Sequence, residues 1–222
     1  MKITNLLLIT AIAVTTLFVA SCKKSSNSAS GIKYQLQTTN RSAVIARTTT
    51  GNLLWASGSA FATEVKFQAK KDNHEVEFKS QSPQLIDLFL PVTILGTITL
   101  DPGTYTEVEF EVELNPNGSN TALELNGQYT SGSVTTPVKF TVNAPLELKN
   151  EKNNVVIKDN NSYKALTTLN LSLITTGVTE VMFNSAVRTS GTILISSTSN
   201  VNIYNIILAN LHNSDEVEFD ND

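Results

Sequence analysis

Apolar residues recur at every second position over much of this chain, as expected of strands with one buried and one wet face. The densest case is residues 93–130. Residues 95–100 lead into Asp101-Pro102-Gly103, where proline presets φ and glycine permits a positive φ. Residues 107–114 then alternate, with Val108, Phe110, Val112 and Leu114 on one face and Glu107, Glu109, Glu111 and Glu113 on the other. Asn115-Pro116-Asn117-Gly118 turns the chain again, and Leu123, Leu125 and Tyr129 resume the apolar face. The stretch reads as three strands joined by two turns.

Residues 64–71 and 74–79 alternate on either side of Asp72-Asn73, a pair suited to a type I′ turn because both residues tolerate the left-handed region. A two-residue loop sets Lys71 against His74, Lys70 against Glu75, Ala69 against Val76, Gln68 against Glu77 and Phe67 against Phe78. Lys66 then faces Lys79, the one unfavourable pair. Shorter alternating runs appear at residues 32–36, 43–47, 53–56, 84–90, 138–142, 146–148, 155–157, 169–173, 192–196 and 216–219. Residues 178–186 suit a short helix. Residues 200–211 suit a longer one, with Ile203, Ile207 and Leu211 at i, i+4 and i+8 and an asparagine, Asn200 or Asn202, to cap it. The predicted fold is mainly β: an antiparallel β-sandwich of short strands with one or two short helices near the C-terminus.

The first residues predict something else. Lys2 precedes an uncharged apolar run over residues 6–20, too short for a good spanning helix, and small residues follow. Val19-Ala20-Ser21-Cys22 resembles the lipobox of bacterial lipoproteins. That resemblance implies a signal peptide over residues 1–21, an acylated Cys22 as the new first residue, and a membrane anchor through fatty chains such as palmitate. Residues 22–30 are then the lipidated cysteine and a flexible tether, and residues 31–222 a single β-sandwich domain. The tether has no acidic residue after Cys22 and carries lysine, not aspartate, next to it. Among such lipoproteins this favours the outer membrane, facing the periplasm rather than the cell surface.

Cys22 is the only cysteine, so the folded part is expected to rely on its core, without a disulfide or a cysteine-based metal site. The formal charge is −4, or −5 without Lys2. An acidic balance argues against a nucleic-acid partner, and the sequence holds no polybasic run for anionic lipids.

Ile86-Asp87-Leu88, an apolar strand, and then Pro102-Gly103-Thr104-Tyr105-Thr106-Glu107-Val108-Glu109-Phe110 resemble the core of the domain of unknown function 4382 family. The resemblance spans about residues 32–173 and implies a β-rich bacterial lipoprotein. Residues 32–35 lack the family's opening Asp-Ala-Pro, and Glu109 stands where arginine is common. The family has no agreed activity, so the resemblance carries over no functional residue.

Candidate chemistry is sparse. There is no Gly-x-Ser-x-Gly elbow, and no spacing suggests zinc or an EF-hand, so no metal and no cofactor is expected. His74 and His212 fall at a turn and a helix end. Trp55 reads as core, or, on a concave face, as a platform for a sugar ring. Glu107, Glu109, Glu111 and Glu113, about 6.8 Å apart on one strand face, are the remaining ligand-contact candidates. Repulsion of roughly 0.6 kcal/mol per neighbouring pair in water is tolerable for a solvated face. The acidic tail, residues 215–222, offers oxygens to calcium or is simply solvated. No catalytic residue is assigned. Asp87 reads as a turn cap. The sequence therefore predicts an envelope lipoprotein with a non-catalytic module that binds a glycan or an envelope protein or acts as a structural accessory. The alternatives are a carbohydrate-active enzyme with paired carboxylates and a fimbria-like subunit.

Overall fold

The computed structural model describes residues 29–45, 51–90, 93–212 and 215–221. The signal segment, Cys22, most of the tether, the 48–50 part of the expected loop and Pro91 lie outside the described residues. In chain order the elements are β1 (Ser30–Thr39), β2 (Ser42–Val44), β3 (Asn52–Lys71), β4 (His74–Asp87), β5 (Thr93–Leu100), β6 (Gly103–Leu114), β7 (Leu123–Ser131), β8 (Val134–Val142), β9 (Leu146–Lys152), β10 (Val155–Ile157), β11 (Tyr163–Asn170), α1 (Glu180–Asn184), β12 (Arg188–Thr189), β13 (Thr192–Ile195), α2 (Val201–Leu211) and β14 (Asp215–Asn221).

They form two sheets. The smaller has the order β14-β11-β1-β5. The larger runs β10-β6-β3-β7-β8-β13-β12, with β2 and β4 also on β3 and β9 also on β6. The mainly β, sandwich-like arrangement matches the sequence pattern. Its pairing is mixed rather than wholly antiparallel, because β1–β11 and β8–β13 run parallel. Both parallel pairs join strands far apart in sequence, which leaves room for the long return a parallel connection requires.

β3 is the spine. One edge pairs with β7 over its first half and with β6 over its second, and the other edge pairs with β2 and then β4. The three strands of residues 93–130 exist, but none pairs with the next. The Asp101-Pro102-Gly103 turn carries the chain from the small sheet to the large one, and β6 and β7 take successive stretches of β3. The β3–β4 hairpin has the predicted register down to Lys66 opposite Lys79. Asp72 and Asn73 have φ of 52° and 63°, as a type I′ turn demands.

The two sheets meet through aromatic rings. Phe110 of β6 packs on Phe67 of β3 (centroids 5.3 Å apart), on Tyr34 of β1 (6.1 Å) and on Phe219 of β14 (5.7 Å). At the β7–β8 end the helices supply the cover: Phe183 of α1 stacks on Tyr129 at 4.4 Å, and Tyr204 of α2 lies 5.8 Å from Phe140. α2 buries Ile203, Tyr204, Ile207 and Leu211, the stripe its spacing predicts. Asn200 holds the N-cap position without capping. Its side chain instead accepts from Val187 N and donates to the carbonyls of Val187 and Leu194. The strand expected over 169–173 lies earlier, at β11. Residues 171–177 form turns, with Asn210 Nδ2 donating to the carbonyls of Ile174 and Thr176.

Candidate functional site

The outer face of the large sheet is a lattice of charged side chains. β3 sets Lys66 beside Glu111 of β6 and Gln68 beside Glu109; β9 sets Lys149 beside Glu111 and Glu147 beside Glu113. Lys66 Nζ lies 3.0 Å from both oxygens of Glu111. Lys149 reaches diagonally to Glu109 at 2.7 Å, and Lys70 pairs with Glu107. Lys79, forced opposite Lys66, turns to Glu77 at 2.7 Å. The lysine stems lie along the sheet and carry their charges to the carboxylates.

Glu111 departs from the solvated face that strand periodicity alone predicts: its side chain is only 4% exposed. Burial pushes its carboxyl above the ordinary carboxylate range; the Lys66 hydrogen bond opposes this, and the charges of Glu147 and Glu113 add to it. Lys66 is raised in turn, chiefly by that hydrogen bond.

Glu107 breaks the expected alternation. Its φ is 49°, and the β3–β6 register slips between Gln68 and Lys70. The bulge lets Thr106 and Glu107 both face outward, which returns Tyr105 to the core at 1% exposure. On the far edge of β6, β9 pairs from Val108 onward and β10 pairs only up to Tyr105. Thr106 and Glu107 therefore fall in a gap of the ladder. A cleft of 510 Å³ opens there, lined by Glu75, Glu107, Glu109 and Glu151 with Lys70 and Asn153. This cleft brings two of the predicted contact residues together, with Glu75 and Glu151 from the flanking strands. Glu111 and Glu113 lie farther along β6.

Trp55 lies elsewhere, 1% exposed beneath β7. It faces Gly127, where a β-carbon would stand 2.5 Å from the Leu54 carbonyl and 3.0 Å from the indole. Its Nε1 has no hydrogen-bond partner among the described residues. In this position it fills the core and presents no ring to a ligand. Asp87 Oδ1 accepts the Phe89 N–H at 2.8 Å, closing a turn. Among the described residues, no group of three or more histidine, cysteine, aspartate or glutamate side chains is placed to hold a metal ion. No helix there is long and apolar enough to cross a membrane.

No family model matches the chain, and no curated protein or solved structure matches it.

Proposed function

We propose that this chain is a membrane-anchored envelope lipoprotein whose β-sandwich is a non-catalytic binding or accessory module, held in the outer membrane by an acylated Cys22 and facing the periplasm. The anchor half is supported by Val19-Ala20-Ser21-Cys22 after an apolar run. The observation that carries the binding half is the state of the carboxylates. Glu107, Glu109 and Glu111 each engage a lysine on a neighbouring strand. A glycosidase instead needs two carboxyl groups facing one bond, one of them kept protonated. The 510 Å³ cleft offers carboxylates, the amides of Gln68 and Asn153 and an ammonium within one open hollow, a set suited to the hydroxyls of a glycan.

Thermal unfolding of the full chain against a panel of envelope glycans and calcium tests this. A ligand at about 100 times its dissociation constant adds roughly 2.7 kcal/mol. For a domain of this size that is a shift of several degrees, at about 2–4 °C per kcal/mol. A shift with a glycan that is recovered intact, and that is lost in Glu109→Gln/Glu151→Gln, is the expected result. A glycan recovered cleaved would move the protein to the carbohydrate-active enzymes. No shift with any glycan would remove this ligand class and leave an envelope protein as partner.

One feature favours a second reading, the fimbria-like subunit. The last strand of the chain, β14, is an edge strand that gives Phe219 to the core, the geometry from which strands are donated between copies.

A further inference from the structure

We propose that the free edge of β4 docks a second copy of this chain: two copies pair antiparallel through residues 75–81, about a two-fold axis at Phe78, and join their large sheets into one.

β4 is an edge strand. It pairs with β3 and, among the described residues, with no other strand. Lys71 and His74 face each other across the two-residue turn and form its closing hydrogen-bonded pair. Ladder bonds alternate from there, so the backbone N–H and C=O groups of Val76, Phe78 and Ser80 point to β3. Those of Glu75, Glu77, Lys79 and Gln81 point the other way, and all four residues are exposed. β5 lies beneath the strand rather than beside it: a β-carbon on Gly96 would stand 2.9 Å from Ser80 Oγ. The regular edge ends beyond Gln81, where the β3–β4 register shifts and Pro83 has no N–H to give.

Charges on an edge strand ordinarily keep other strands away. On β4 their order admits one self-pairing. An axis at Phe78 sets Glu77 opposite the partner's Lys79, twice, and Glu75 opposite the partner's Gln81. Moving the axis by one residue sets Glu77 against the partner's Glu77, or Lys79 against the partner's Lys79, and like charges directly opposite are destabilising. Lys79 gains most from the favoured register, because within its own chain it faces Lys66. On the other face Val76 and Phe78 are only partly buried against the core, and an added strand covers them. The two-fold runs perpendicular to the joined sheet, so both 510 Å³ clefts open on the same side. One short strand from each copy makes a small contact, so the pairing is weak and concentration-dependent.

Sedimentation equilibrium of the full chain tests this, in density-matched detergent with micelles in excess over chains, from micromolar to millimolar concentration. The mass is expected to climb from one chain towards two. Glu77→Lys and Lys79→Glu each place like charges opposite one another twice, and each should raise the dissociation constant about tenfold or more. An equimolar mixture of these two variants recreates opposite-charge pairs across the axis and should associate at least as well as the wild type. Glu77→Pro is a second probe. Position 77 gives no backbone hydrogen bond to β3, so proline leaves the hairpin intact while removing a donor to the partner. Its mass should stay at one chain, with an unchanged far-UV circular dichroism spectrum. A wild type that remains at one chain throughout would overturn the proposal. Single charge variants that associate as the wild type does, or a mixture no better than its components, would overturn it equally.

Discussion

Glu111 and Lys66 show how one pair can be both a stabilising contact and a burden. Glu111 binds its proton more tightly in the folded chain than in the unfolded one, so its ionisation works against folding as pH rises. The window opens near the ordinary glutamate value, about 4.3, and closes at the raised folded value. Lys66 depends on pH in the same direction but at alkaline pH: its contribution is complete below about 10.4 and is lost as pH climbs through its raised value. Lys66→Met removes the counter-charge and leaves a buried carboxylate. Complete burial of such a charge costs about 3–5 kcal/mol, and because this face admits some water the expected loss is about 2–3 kcal/mol at neutral pH. Urea unfolding at pH 7 and pH 4 checks it: the deficit should shrink in acid, where Glu111 takes up a proton. A deficit equal at both pH values would mean that packing of the lysine stem, not charge, is what was lost.

At the scale of elements, the bulge in β6 makes the next prediction. Glutamate at a φ of 49° occupies a region in which a residue with a β-carbon is strained by about 1–2 kcal/mol. Glu107→Gly should therefore raise the unfolding free energy measured in urea, by up to about 1 kcal/mol after the added freedom of the unfolded chain is deducted. Glu107→Val should lower it, since a β-branched side chain fits that region worst. The same bulge marks where sequence reading stopped. Alternation from Val108 to Leu114 was legible because each residue obeys a period of two. Nothing in Thr106-Glu107 announces a positive φ, so Tyr105 falls on the wrong face in any strict count. The β3–β4 hairpin was legible to the residue because turn chemistry and pairing are both local. Asp101-Pro102-Gly103 has equally good turn chemistry, yet it joins two sheets, because a turn fixes direction and not partner. The length of β3 was hidden by Ser57-Gly58-Ser59, where the small residues pair as well as any. The cleft was hidden for a different reason: Glu75, Glu107 and Glu151 come from three strands, and only the register places them together.

For the whole molecule, the closing strand decides whether the sandwich holds. Among the described residues β14 pairs only with β11, and it supplies Val217 and Phe219, whose ring stacks 5.2 Å from Tyr163. Burial of such side chains contributes about 1.5–3 kcal/mol each, against a total stability of about 5–15 kcal/mol for a domain. Deleting residues 215–222 should lower the urea midpoint by a large fraction and bare the edge of β11, with association visible by size-exclusion chromatography. A synthetic peptide of residues 215–222 should restore the monomer if strand donation between copies is within the protein's reach. Failure of the peptide to bind would remove the fimbria-like reading.

The parallel pairing of β1 with β11 also sets an order in time. The first strand of the domain has its partners at residues 93–100 and 163–170, and the sheet is complete only when residues 215–221 are in place. Contacts this distant along the chain are the slowest to form, since the intervening segment must be closed into a loop before any contact rewards it, and domains dominated by them fold over milliseconds to seconds. A chain emerging from its N-terminus therefore carries β1 without its parallel partner until more than a hundred further residues have followed it, as the register of Ile32 with Tyr163 requires. The small sheet therefore stays open at β11 for as long as the closing strand, residues 215–221, has yet to be made.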